Sequence, residues 1–242
     1  MKNHVAKMLG IMSFALTSTP SFAQEHNMTH STASYIPMTA AANQTASFAA
    51  LLTGAAPLVK ETEPGTALWF ALQGADNSLA IFDVFVDANA RDAHFAGAVA
   101  GALNEHANTL VEGGWDDGVV ANINNSHVLS AKAPVDLYSA QTATYIKLTA
   151  APGKGESLAE LLTAAGPIVA DTEPKTLYWV ALRLDQNNFA LFDIFADNSG
   201  REAHFAGQVA NLLKEKSAEL VVGGWDNGVI PNIKNYEILA IK

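Results

Sequence analysis

The chain has 242 residues, 49% of them apolar, and sets 14 Lys plus Arg against 24 Asp plus Glu for a formal charge of −10. An acidic chain without a basic cluster is a poor ligand for phosphate backbones or anionic lipid, so no nucleic acid partner is expected. It contains no cysteine, which excludes disulfides, thiolate catalysis, iron–sulfur clusters and cysteine-held zinc and leaves stability to ordinary apolar cores.

At the start, Lys2 and Lys7 precede the apolar run Met8 to Leu16, shorter than the roughly 20 residues of a membrane span, and Ser21-Phe22-Ala23 is a small-residue cleavage site. Residues 1–23 read as a signal peptide, so the mature chain is expected to be exported, periplasmic or secreted. Losing both lysines takes its formal charge to about −12. No later run is long enough to cross a bilayer. Residues 24–34 are polar and read as a flexible mature N-terminus, where His26 and His30 belong to a solvated tail rather than a metal site.

From there the sequence repeats. Residues 35–132 and 145–242 align without a gap at an offset of 110, with roughly half the positions identical. Tyr35 pairs with Tyr145, Trp69 with Trp179, Asp83 with Asp193, His94 with His204 and Lys132 with Lys242. The period far exceeds the 20 to 50 or so residues of a solenoid unit, so each copy is a domain. Residues 133–144 lack periodicity and read as the linker.

Within a copy, Tyr145 to Thr149 alternates as a strand, and Leu158, Leu161, Leu162, Ala165, Ile168 and Val169 have the spacing of one buried helix face, as do their counterparts from Phe48 to Val59. Pro57 and Pro167 fall inside this pattern and predict a kink or an early end. Thr176 to Leu184 and Phe189 to Ala196 form a hairpin through Asp185-Gln186-Asn187-Asn188. A second helix is expected near Ser199, capped by Ser199 with Glu202, or by Asn89 with Asp92 in the first copy. Tyr236 to Ile241 closes the copy. The order β-α-β-β-α-β is the ferredoxin-like split motif, an α+β unit with helices on one sheet face. The other face is also apolar and needs cover, so the two units should pack sheet to sheet as an intrachain barrel.

The segments Ala151-Pro152-Gly153-Lys154, Thr172-Glu173-Pro174 (Thr62-Glu63-Pro64-Gly65 in the first copy) and Phe192-Asp193-Ile194-Phe195-Ala196-Asp197, followed by Arg201-Glu202-Ala203-His204, resemble the antibiotic-biosynthesis-monooxygenase family of dimeric α+β barrels, particularly its quinol-monooxygenase-like members. The resemblance implies a cofactor-independent enzyme whose partners are a small aromatic or quinol-like molecule and molecular oxygen, with no metal or flavin. It leaves open a further homo-oligomer. In such chemistry the protein supplies a dry pocket and a base.

His94 and His204 match the family's helix histidine and are the candidate bases, or else plain helix-flank residues. Asp83 and Asp193 sit in apolar strands, where a carboxylate needs a partner, and they share a face with Phe85 and Phe195 that the resemblance makes the barrel interior. They would orient the histidines or bond structurally to Arg91 and Arg201, themselves candidate substrate contacts. Trp69 and Trp179 line a cavity or the core, and Trp115 and Trp225 in the Gly-Gly-Trp loops cover or plug the barrel end. Phe85 and Phe195 stand where many relatives have Trp, and a second helix histidine is missing near Val99 and Val209. A haem-degrading triad is not matched. A non-catalytic binder of a small hydrophobic ligand, or an envelope-stress protein of the same fold, is the alternative. Ala42-Asn43-Gln44 replaces Pro152-Gly153-Lys154, which predicts a drifted geometry in the first copy.

Overall fold

The computed structural model describes residues 30–242; the expected signal peptide and most of the polar segment after it lie outside the described residues. Each copy folds as strand, helix, two strands, two helices and strand. The first copy comprises β1 (Thr32–Thr39), α1 (Thr45–Thr62), β2 (Thr66–Gln73), β3 (Ser78–Phe85), α2 (Ala88–Phe95), α3 (Ala98–Leu110) and β4 (Asn124–Lys132). The second repeats it with β5 (Thr142–Thr149), α4 (Gly155–Thr172), β6 (Thr176–Arg183), β7 (Asn188–Phe195), α5 (Asn198–Phe205), α6 (Gln208–Leu220) and β8 (Ile233–Ile241).

Several boundaries differ from expectation. β1 begins at Thr32, so residues 32–34 of the stretch expected to be flexible are buried in a strand, and β5 likewise takes in residues 142–144 of the linker. α1 and α4 run through Pro57 and Pro167 rather than ending there. Pro57 and the carbonyl-bearing Thr53 four residues back are on the exposed side, where water can serve the carbonyl that has lost its donor. Phe48, Leu52, Ala56 and Val59 meanwhile hold the opposite face down. The helix caps are Asp87 and Asp197, whose carboxylates accept from the amides of Ala90 and Gly200, in place of the expected serine and asparagine boxes.

All eight strands close into one antiparallel barrel in the order β1-β3-β2-β8-β5-β7-β6-β4. Each copy contributes four neighbouring strands, and the seams β2–β8 and β4–β6 join the copies, so no strand edge is left unpaired. The interior is a packed core of both copies, including Tyr35, Phe70, Phe82, Tyr145, Tyr178 and Phe192. Phe82 stacks on Phe192 and Tyr35 on Tyr145, each pair with ring centroids 3.7 Å apart. Two further cores lie outside the barrel, each between one copy's strands and helices, with Leu239 and Ala240 of β8 packing on the first copy's and Leu129 of β4 on the second's.

Candidate active site between sheet and helices

Strand alternation fixes where the site falls. Phe82 and Val84 point into the barrel, so Asp83, between them, points to the helix side, where Trp69 and Ile81 also lie. The expectation that Asp83 and Asp193 face the barrel interior is therefore corrected, although their shared face with Phe85 and Phe195 stands. Both sheet faces are apolar, and alternation alone cannot say which is the barrel. Cross-strand register then assembles a row: Asp83 lies between Ser34 of β1 and Trp69 of β2, and Asp193 between Thr144 of β5 and Trp179 of β6.

Over this row stands the histidine. His94 is in the last turn of α2, 4% exposed, and its Nε2 is 3.7 Å from Asp83 Oδ2; His204 Nε2 is 3.8 Å from Asp193 Oδ2. That spacing is an ion-pair contact and too long for a hydrogen bond. The ring is fixed from its other nitrogen: His94 Nδ1–H donates to Glu63 Oε2 at 2.5 Å, and His204 Nδ1–H to Glu173 Oε2 at 2.5 Å. The orienting carboxylate is thus Glu63 or Glu173, and Asp83 and Asp193 sit against the opposite nitrogen.

Each Glu lies just after its first helix, in a Glu-Pro turn closed by the amide of Thr66 or Thr176 on the Glu carbonyl. The same threonine hydroxyl donates to Glu Oε2, at 2.9 Å for Thr66 and 3.0 Å for Thr176. Room for this arrangement depends on Gly207, where a Cβ would come within 2.7 Å of Glu173 Oε1 and 2.9 Å of the His204 carbonyl. Phe85 and Phe195 are fully buried and flank the imidazoles at 5.4 and 5.5 Å between ring centres.

The electrostatics follow from burial. Asp83 and Asp193 are fully buried, and neither oxygen of either has a hydrogen-bond partner; the indole nitrogens of Trp69 and Trp179 are likewise unpartnered. Desolvation pushes Asp83 up to about 7 and Asp193 up to about 6, the nearby histidine opposing the shift and the glutamate adding to it. For the histidines desolvation pulls downward, but Asp83 with Glu63, or Asp193 with Glu173, outweighs it and raises both above the ordinary value. Carboxylates on opposite sides of one ring do not converge on a point, and no group of three such side chains suited to holding a metal occurs among the described residues.

A pocket of about 270 Å³ opens beside this group in the second copy, with Glu173, His204, Thr176, Gly200 and Gly207 in its walls and the exposed Lys175 and Gln208 at its edge. His204 and Glu173 reach the pocket; Asp193 is not part of its lining.

The remaining candidates are placed elsewhere. The Arg91 guanidinium pairs with Asp92 at 3.3 Å and that of Arg201 bonds Asn198 at 2.7 Å, so neither arginine touches the buried aspartates. Trp69 and Trp179 are core residues of the helix-side layers. Trp115 and Trp225 sit in π-helical turns and pack, partly buried, against those same layers. Glu63 and Glu173 were visible in the sequence as part of the Thr-Glu-Pro motif, but nothing local marked them as histidine partners 31 residues away.

No protein-family model and no curated protein matches this chain. Among solved structures, it is similar to a "putative monooxygenase" from Fusobacterium nucleatum subsp. nucleatum, with a TM-score of 0.73 at 15% identity over 88% of this chain and 94% of that one. A "putative monooxygenase" from Lactobacillus acidophilus gives a TM-score of 0.70 at 14% identity over 88% and 95%. A protein described as anthrone oxidase-like gives 0.59 at 12% identity over 89% and 94%. At such identities the likeness is one of fold, and it extends over both copies. The chain is a tandem-duplicated dimeric α+β barrel, two βαββαβ units closing within one polypeptide the same barrel on which these monooxygenase-like proteins are built.

Proposed function

We propose that this chain is an exported monooxygenase-like enzyme that oxidises a small phenolic or quinol compound with molecular oxygen and needs no added cofactor. The observation that carries the reading is the buried Asp–His–Glu line, built twice, with both oxygens of a fully buried aspartate left without a hydrogen bond. A buried, unsatisfied carboxylate costs several kcal/mol, and such breaches of packing rules concentrate at working sites.

A phenol in the pocket would lose its proton to His204 Nε2, the nitrogen that Glu173 leaves free. Asp193, 3.8 Å from that nitrogen, favours the imidazolium, and the raised histidine value suits a group that takes and keeps a proton. The electron-rich anion then supplies the electrons for oxygen, one oxygen atom entering the substrate and the other leaving as water. Flanking Phe195 keeps the imidazole dry. The fold shared with proteins described as putative monooxygenases and as anthrone oxidase-like supports the reaction class.

Oxygen uptake with a panel of quinols and anthrones tests this directly. The His94→Ala, His204→Ala double variant should lose about 10²-fold or more. Binding of a quinol in calorimetry without any oxygen uptake would favour the alternative, a non-catalytic binding protein of the same fold. The burial of His94 and His204, each 4% exposed, is the observation on that side.

A further inference from the structure

The lysines that close each copy's last strand serve the site of the opposite copy. Lys132 ends β4 of the first copy, yet the residue is 6% exposed and its ammonium donates to the Glu173 carbonyl of the second copy at 2.6 Å. Lys242, beyond β8 of the second copy, donates to the carbonyls of Glu63, at 2.7 Å, and Thr66 in the first. The barrel seams produce this crossing. β4 pairs with β6 so that Lys132 stands opposite Trp179, which stands opposite Asp193, and the Lys242 amide bonds the Trp69 carbonyl at 3.0 Å.

Withdrawing an ammonium from water is costly; Lys132 is buried and Lys242 half-buried, and desolvation pulls both below their ordinary value. A neutral side chain could fill the same seam more cheaply. The charge recurs at both symmetry-related places, and each time its acceptor is the backbone of the residue whose carboxylate holds a histidine.

We infer that Lys132 and Lys242 are positioning residues supplied in trans, each fixing the Glu-Pro turn that orients the other copy's histidine, so that neither site is complete without the opposite copy. The inference rests on the site reading above but not on turnover. The charged groups facing His204 are Glu173 on α4's trailing turn, Asp193 on β7 and Lys132 on β4; those facing His94 are Glu63, Asp83 and Lys242. The carboxylates favour the imidazolium and the lysine opposes it.

The test is imidazole titration by nitrogen NMR on the full chain. Lys132→Met should raise the midpoint of His204 by a few tenths of a pH unit or more and leave His94 in place. Lys242→Met should do the converse, and Lys132→Arg should return His204 toward its original midpoint. A substitution that shifts its own copy's histidine, both histidines or neither would overturn the assignment. If Lys132→Met does not fold, Lys132→Gln and Lys242→Met make the same comparison. Crossed shifts in a chain that consumes no oxygen would keep the lysine assignment while removing the catalytic one.

Discussion

The two faces of the barrel sheet are both apolar, and they have been put to different use. Facing inward, Phe82 stacks on Phe192 and Tyr35 on Tyr145 across the barrel interior, one ring from each copy, and even the Tyr35 and Tyr236 hydroxyls bond each other. Facing the helices, the same sheet carries Asp83, Asp193, Trp69 and Trp179. Among the described residues, every buried side-chain polar atom without a partner belongs to one of the two Asp–His–Glu sites, except Thr142 Oγ1 and the indole nitrogens of Trp69 and Trp179, which stand opposite the two aspartates in the strand register. The inner face fills its space with stacked rings, which is what a structural core does. The outer face leaves groups unsatisfied in the same place twice, a cost that packing alone does not explain.

The largest expected effect tests the inner face. Phe192→Ala removes one ring of a stack shared by both copies, with no room for the barrel to collapse, and should lower unfolding free energy by about 3–5 kcal/mol in urea denaturation. Because the interior belongs to both copies, the loss should appear as one cooperative transition rather than as melting of the second copy alone. A loss below about 1 kcal/mol would mean that the interior is not the joint core, and the contrast between faces would fail.

The outer face should respond in the opposite sense. Asp83 and Asp193 have folded values raised to about 7 and about 6, above the 3.8 of the unfolded chain. Their contribution is therefore fully present below about pH 4 and is lost as pH rises toward 7. The histidines, also raised, add a loss of the same sign above pH 6.5. Surface carboxylates such as Asp185 and Asp197, lowered by local hydrogen bonds, act in the other direction and mainly below pH 4. The Asp83→Asn, Asp193→Asn variant should match the parent near pH 4 and be more stable at pH 8, by on the order of 2 kcal/mol per carboxylate. Parallel stability-against-pH curves for the two proteins would show that these carboxylates are not strained by burial.

What the sequence made legible was whatever depends on local periodicity. The duplication, the helix faces, the Asp185 hairpin and the pairing of Asp83 with Phe85 on one face all follow from spacing. The inward or outward sense of that face does not, because it is decided by closure of the barrel across two seams. The partners of the histidine are equally non-local. Glu173 is 31 residues from His204, and Lys132 lies in the other copy, 41 residues from the carbonyl it serves. Arg201 was the obvious nearby cation for Asp193, but in the first turn of α5 its side chain turns to Asn198 instead.

The smallest expected effect concerns how alike the copies are. Replacement of Pro152-Gly153-Lys154 by Ala42-Asn43-Gln44 predicts a drifted first copy, yet Asn43 has φ +64° where Gly153 has +74°, and the next residues share φ −106° with ψ of 0° and 7°. Asn is among the few residues that tolerate the left-handed region, so the change of residue preserved the turn. A Cβ at Gly153 would meet nothing within 4 Å, which leaves backbone conformation as the only cost of substitution there. Gly153→Asn should therefore change stability by less than about 0.5 kcal/mol, whereas Gly153→Ala should cost about 1 kcal/mol, both by urea denaturation. Equal costs for Asn and Ala would mean that the turn depends on glycine itself, and that the first copy keeps its shape for some reason other than the tolerance of Asn43.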